Sequence, residues 1–232
     1  MDRVKSLKNG EYEYCEKDKL GEGSFAHVYK GVITKNNRVV AVRLLPLTLV
    51  KQYGDKIKEI ITGEVSVLKE LSMSDNPDAI FTTRIYDCFM TANNVVMILE
   101  FCPDGSLEDV MKKGALSEAD ALPIMYQLAR GLEFISKEKV VHRDIKPDNI
   151  FVKKEGHHMI FKLGDFGFAV KKELNSEIVG TPIFMSPELF REERYGPEVD
   201  VWAFGLMAHY ILFKEYYFIG ASEQQIKKKV LN

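Results

Sequence analysis

The sequence carries almost no surplus of charge. Its 32 lysines and arginines are met by 34 aspartates and glutamates, for a formal net charge of −2 at pH 7. A chain so balanced has no electrostatic pull toward nucleic acid or an anionic membrane surface, and neither is expected as a partner. Cysteine is scarce. Cys15, Cys88 and Cys102 are odd in number, dispersed and not at metal-ligand spacing, which argues against a disulfide framework and for a reducing, cytoplasmic setting. No run is long and apolar enough to cross a bilayer. The most apolar one, Val199–Phe213, contains Asp200 and His209 and falls short of the ~20 residues that a span needs. The opening Met1-Asp2-Arg3-Val4-Lys5 is charged and lacks the apolar centre of a secretory signal. Internal repeats and low-complexity tracts are absent as well. What remains is 232 residues, 46% hydrophobic and 28% charged, an ordinary globular composition. That length suits one large domain or two small lobes around a cleft.

Chemistry-bearing residues concentrate in Val140–Val152. Two apolar runs, Val140–Val141 and Ile150–Val152, enclose His142, Arg143, Asp144, Lys146, Asp148 and Asn149. Burying such a block without partners is expensive, so it is either a solvated loop or a site that supplies the partners. Further on, Phe161-Lys162-Leu163-Gly164-Asp165-Phe166-Gly167 repeats the design, a short apolar run that ends in an acid and a glycine. Asp144, Asn149 and Asp165, delivered by short strands, can hold Mg²⁺ and orient a hydroxyl.

Earlier in the chain, residues 1–18 read as a polar leader. In Leu20-Gly21-Glu22-Gly23-Ser24-Phe25-Ala26-His27-Val28, two closely spaced glycines either form a plain hairpin turn or let backbone N–H groups approach a phosphate. Val32-Ile33 and Val39-Val40-Ala41-Val42, separated by the turn signal Asn36-Asn37, read as antiparallel strands, the second ending at Arg43. Ile57, Ile60, Ile61, Leu68 and Leu71 form a helical stripe over 55–71, and Glu64 lies on it. An acid on an inward face needs a cation within reach, unless it sits partly solvated at the stripe's edge. Strands are expected around 83–89 and 95–101, the latter running into the Pro103-Asp104-Gly105 turn.

Ser117-Glu118-Ala119-Asp120 fits a helix start. Ala121, Met125, Leu128, Ala129, Leu132 and Ile135 supply its apolar face, and Pro123 should kink its first turns. Lys153–His158 reads as a polar turn. Its His157-His158 pair has no ligand partner at metal spacing. Val199–Phe213, apolar on nearly all sides, reads as a fully buried helix whose Asp200 must find buried donors, and another helix starts at Ser222.

His142-Arg143-Asp144…Asn149 followed by Asp165-Phe166-Gly167 resembles the catalytic and metal loops of eukaryotic protein kinases. The resemblance covers the Gly-rich turn, the strand cation, the helix acid, the linker and Ser186-Pro187-Glu188, in order. It implies an α+β, bilobal fold over 14–232: a small antiparallel lobe with one helix (14–101) and a larger, mainly helical lobe (102–232). Lys146 and Thr181 are similar to the Ser/Thr-specific group. Gly23-Ser24-Phe25-Ala26 and Gly164–Ala169 are similar to its autophagy-initiating subgroup.

The implied reaction is transfer of the ATP γ-phosphoryl group to Ser or Thr hydroxyls of protein substrates. The resemblance assigns Asp144 the hydroxyl proton and Lys146 the γ-phosphate, and gives Mg²⁺ to Asn149 and Asp165. It places ATP among Leu20, Gly21, Gly23, Val28, Ala41, Arg43, Glu64, Leu99, Glu100 and Cys102. Glu64 is to hold Arg43, Leu99 to guard the back of the pocket, and the linker backbone to bond the adenine edge. Arg43 departs from the pattern, which has lysine there, and Ala26 replaces a third glycine.

The rival reading is a pseudokinase or nucleotide-binding scaffold. A metal-dependent hydrolase lacks any nucleophile motif. A phosphorylated residue in 168–181 is expected to pair with Arg143. Ser176 is the better candidate, because Thr181 resembles a structural substrate-loop threonine. Related kinases continue past this chain's last residue and carry an arginine for the Glu of Ser-Pro-Glu. No arginine follows Arg194, so a C-terminally truncated domain with an uncompensated Glu188 is expected.

Overall fold

The computed structural model describes residues 4–22, 26–114, 116–171 and 177–232. Gly23, Ser24, Phe25 and Ser176, all invoked above, lie outside them. The contacts gather into two compact units, 1–72 with 84–101, and 73–83 with 102–232.

The first unit holds β1 (Val4–Leu7), β2 (Tyr12–Glu22), β3 (His27–Ile33), β4 (Arg38–Pro46), α1 (Leu47–Met73), β5 (Ile85–Met90) and β6 (Asn94–Glu100). The strands form one six-stranded sheet in the order β1-β2-β3-β4-β6-β5, antiparallel throughout. Alternation sorts its faces: Val40, Val42 and Leu44 of β4 join Val96, Ile98 and Tyr12 in a core. The sheet curls until β2 and β5 touch. Tyr12 stacks on Phe89 with ring centroids 5.7 Å apart, and Asp87 accepts from the Tyr12 hydroxyl at 2.8 Å and from Lys8 Nζ at 2.6 Å.

Three expectations need correction here. The polar leader contains β1 and the start of β2, paired Val4↔Cys15 through Leu7↔Tyr12; half-exposed edge strands need little apolar content. The strand through Arg43 continues to Pro46, because β6 pairs with it as far as Asn94. The helix begins at Leu47, with a break at Gly54, whose φ of +63° and ψ of −139° are not helical. Ile57, Ile61, Glu64, Leu68 and Leu71 are buried on it, whereas Ile60 is 39% exposed. At about 100° per residue Ile60 stands about 60° from the centre of that stripe, beyond its edge at Leu71.

The second unit holds α2 (Leu107–Lys113), α3 (Glu118–Lys137), the hairpin β7 (Ile150–Glu155) and β8 (His158–Leu163), α4 (Pro187–Phe190), α5 (Glu198–Phe213) and α6 (Glu223–Leu231). Ser117 caps α3 by accepting from the Asp120 N–H, and Ser222 caps α6 likewise. The buried face of α3 is Ala121, Ile124, Leu128, Gly131, Leu132, Phe134 and Ile135. Ala129 is exposed and Met125 half-buried. The helix runs on through Pro123, which lies exposed near its start. The turn between β7 and β8 is confined to Gly156-His157, because Lys153–Glu155 and His158 pair within the ladder.

The core joins Val141, Met185, Leu189, Phe190, Tyr195 and Val199 to Ile226 and Val230 of α6. α5 is not buried all round: Val199, Ala203, Met207 and Ile211 face the interior, but Val201 is 62% and Phe213 64% exposed. Apolar composition permits burial, but only a face with a neighbour achieves it. Glu188 on α4 is half-buried rather than enclosed. It keeps contact with water, and the penalty of an uncompensated buried charge does not fall on it in full.

The 73–83 segment belongs to this unit through polar ties. Lys162 Nζ, on a nearly buried side chain, donates to the carbonyls of Ile80 at 2.5 Å and Thr82 at 3.4 Å. The Thr83 N–H donates to the Leu163 carbonyl at 2.9 Å, and Arg130 Nη2 meets Asp78 Oδ2 at 2.8 Å.

Candidate active site

α3 ends just before the His142–Asn149 loop, and β7 carries the chain away from it. Between them Asp200, delivered by α5, anchors the loop. Its Oδ2 accepts from the His142 N–H at 2.7 Å and its Oδ1 from the Arg143 N–H at 2.8 Å. Complete burial pushes the Asp200 pKa up, opposed by these two N–H donors and the Arg143 guanidinium. His142 Nδ1 accepts from the Asp144 N–H at 3.3 Å. The ring proton therefore sits on Nε2, which donates to the Gly164 carbonyl at 2.9 Å. The same ring packs on Phe166, centroids 4.8 Å apart.

These bonds fix Asp144 in a cage. Its Oδ2 lies 2.8 Å from Lys146 Nζ and accepts from Asn149 Nδ2 at 2.9 Å. Its Oδ1 accepts from the Thr181 hydroxyl at 2.7 Å, and Lys146 Nζ donates to that hydroxyl at 2.8 Å. Gly180 makes the approach of Thr181 possible. At φ +108°, a Cβ there would stand 2.4 Å from the Arg143 carbonyl oxygen.

Asn149 and Asp165 are brought together by the β7–β8 register Ile150↔Leu163 and by the Gly164 N–H, which donates to the Asn149 carbonyl at 2.9 Å. Because Nδ2 of Asn149 is turned to Asp144, Oδ1 is the atom it offers a cation. Asp165 is exposed, in left-handed backbone at φ +54°. An amide oxygen, a carboxylate and open space suit a Mg²⁺ that completes its shell with phosphate and water. Among the described residues no group of three His, Cys, Asp or Glu could hold a metal by itself.

In the first unit the cross-strand pairs Gly21↔Val28↔Arg43 and Ala41↔Leu99 set Gly21, Val28, Ala41, Arg43 and Leu99 on one face of the sheet, away from the Val40–Val42 core. Leu20 lies at the register shift beside Gly21 and is 46% exposed. Nothing among the described residues stands within 4 Å of where a Gly21 Cβ would be. Arg43 Nη1 donates to Glu64 Oε1 at 2.6 Å, and Glu64 is 3% exposed. That carboxylate is therefore buried and paired, not solvated at the stripe's edge. The Glu100 N–H donates to the Arg84 carbonyl at 2.8 Å. Cys102, two residues on, is half-buried in irregular backbone.

Residues 14–232 match the protein kinase domain family. The chain belongs to the protein kinase family. The serine/threonine-protein kinase atg1 of Dictyostelium discoideum is 32% identical over 210 residues, which cover 88% of this chain and 30% of that protein. The serine/threonine-protein kinase unc-51 of Caenorhabditis elegans is 31% identical over 230 residues, 93% and 26% of the two chains. The serine/threonine-protein kinase PAK 1 of Mus musculus is 31% identical over 209 residues, 88% and 36%. The chain thus spans roughly a quarter to just over a third of the length of these relatives. Its similarity is to Ser/Thr-specific kinases, as Lys146 and Thr181 suggest. Membership also carries the expected α+β class, an antiparallel sheet unit followed by a mainly helical one.

Within this kinase domain, sequence motifs alone single out Asp144, Lys146, Asn149 and Asp165 as candidates. They miss Thr181 as a direct partner of Asp144, although its resemblance to a substrate-loop threonine marked its neighbourhood. They also leave open where Asp200 spends its carboxylate. An isolated acid in an apolar helix was the signal, and it named no partner.

Proposed function

We propose that the chain is a protein serine/threonine kinase that transfers the γ-phosphoryl group of ATP to Ser or Thr hydroxyls of protein substrates. The observation that carries this reading is the cage around Asp144, made by Lys146, Asn149 and Thr181 at hydrogen-bond distance. A carboxylate held this way, 5% exposed, is placed to orient a substrate hydroxyl and take its proton as the oxygen bonds to phosphorus and ADP leaves. Lys146 supplies a cation beside it for phosphoryl charge. Asn149 Oδ1 and the Asp165 carboxylate would hold Mg²⁺, which when bound neutralises charge on the phosphates. On the first unit, Arg43 would grip the α- and β-phosphates while Glu64 fixes its direction. Gly21 would leave room for the phosphates, with Leu20, Val28, Ala41 and Leu99 against the nucleotide. The Glu100 carbonyl and the Cys102 backbone would bond the adenine edge.

The test is ATP turnover on a generic Ser/Thr peptide. Asp144→Asn should abolish transfer, by ~10²–10⁴-fold, and leave Mg·ATP affinity largely intact. Wild-type turnover in the purified variant would overturn the assignment. A second reading, a nucleotide-binding scaffold without transfer, is favoured by arginine at position 43 where the family has lysine. Mg·ATP binding with no turnover would select it.

A further inference from the structure

The sequence makes Arg143 the cation awaiting a phosphorylated partner, but in the folded chain its guanidinium already has an anion. Its side chain is 5% exposed, and Nη1 donates to Glu177 Oε2 at 3.1 Å. The same Nη1 reaches the Tyr195 hydroxyl at 3.1 Å, and Nε donates to the Phe168 carbonyl at 2.6 Å. Tyr195, 1% exposed and fixed in the core with Val141 and Leu189, donates its hydroxyl proton to the Glu177 carbonyl at 2.7 Å. Burial pushes the Tyr195 phenol up, with the Arg143 guanidinium opposing, so the hydroxyl remains a donor.

Glu177 is therefore held twice, its side chain by Arg143, the residue that immediately precedes Asp144, and its backbone carbonyl by Tyr195. Four residues on, Thr181 bonds Asp144 itself, and Gly180 lies against the Arg143 carbonyl. The segment between is pinned at both ends by consecutive catalytic-loop residues. A nearly buried guanidinium requires a compensating anion. A carboxylate meets that need with about one charge where a phosphate would bring about two.

We propose that Glu177, with Tyr195, is a built-in positioning residue that fills the anion site of Arg143 and orders the substrate-binding segment from 177 onward without phosphorylation. The proposal rests on the kinase reading for its consequence, turnover by unphosphorylated protein, but not for its geometry. The test uses the full chain, phosphatase-treated and shown by intact mass to carry no phosphate. Amide hydrogen exchange across 177–187 is read beside kcat and KM for a Ser/Thr peptide. The unphosphorylated chain should show protection there. Glu177→Gln should raise exchange roughly tenfold, as for the loss of one charge-assisted bond, and raise peptide KM more than it lowers kcat. Glu177→Asp should restore part of both, and Tyr195→Phe should reproduce the exchange effect.

Unchanged exchange in Glu177→Gln, or protection in wild type only after phosphorylation, overturns the proposal. If exchange responds as stated but no form turns over ATP, the positioning stands and the kinase reading fails.

Discussion

Arginine at position 43 keeps the positive charge and changes the shape. Its fork is longer and bulkier than an ammonium on a flexible stem, and one arm is already committed to Glu64 at 2.6 Å. Displacing bound phosphates by about 1 Å can slow transfer ~10²-fold. Arg43→Lys should therefore preserve or raise turnover. Arg43→Ala should lower it by ~10²-fold or more and also lower Tm. It removes the cation bonded to a nearly buried carboxylate, a loss of up to ~3–5 kcal/mol, lessened because the Arg43 side chain is 21% exposed. Peptide kinetics and thermal melts on the three proteins check this. A Lys variant that loses both activity and stability would contradict it, and one that switches on an otherwise absent transfer would make the natural chain a scaffold. The linear motif exposed Asp144, Lys146 and Asn149 because they sit within one loop. The groups that complete the site are far off in sequence, Thr181 by 37 residues and Asp200 by 57 from the loop residues they bond. Only the fold closes such distances.

Among the elements, the curl of the sheet has a measurable signature. Burial, then the bond to Asp87, pushes the Tyr12 hydroxyl from 10.0 up to about 12. A pKa raised by folding contributes stability that is whole below the unfolded value, near pH 10. It is lost as pH climbs toward about 12. Lys8, bonded to the same carboxylate, is also raised; it lies at the surface, where water and salt screen its share. Burial alone would raise Asp87, but Lys8, Tyr12 and the Cys88 N–H outweigh it and hold the carboxyl below 3.8. Its contribution therefore disappears only in acid, as pH falls through that lowered value. Tyr12→Phe keeps the stacking on Phe89 and removes the hydroxyl. Its Tm should start lower, by about 1 kcal/mol of stability, and fall less steeply between about pH 10 and 12 than the wild type. Parallel alkaline declines would contradict this.

Strong local patterns made β3, β4, α3 and α6 legible. β1 was hidden because Val-Lys-Ser-Leu is a strand only through its partner. The exposure of Val201 on α5 could not be read because composition does not say which faces have neighbours.

At the scale of the molecule, the chain passes from the first unit to the second at Met73, back at Arg84, and over again at Cys102. Lys162 secures that early excursion by donating to the Ile80 and Thr82 carbonyls. Lys162→Met keeps the length and removes the ammonium, leaving carbonyls unsatisfied, at about 1–3 kcal/mol. Hydrogen exchange at 77–83 should rise while β1–β4 amides keep their protection; equal exchange in both proteins would contradict it. The arrangement also sets a clock. At ~5–20 residues per second on a ribosome, the 80 residues between Thr82 and Lys162 take roughly 4–16 s to emerge. β5 and β6 arrive early in that interval, so the sheet has all its strands while 73–83 still waits for its lysine. A nascent chain should therefore shelter this short segment by other means until the β7–β8 hairpin has been made.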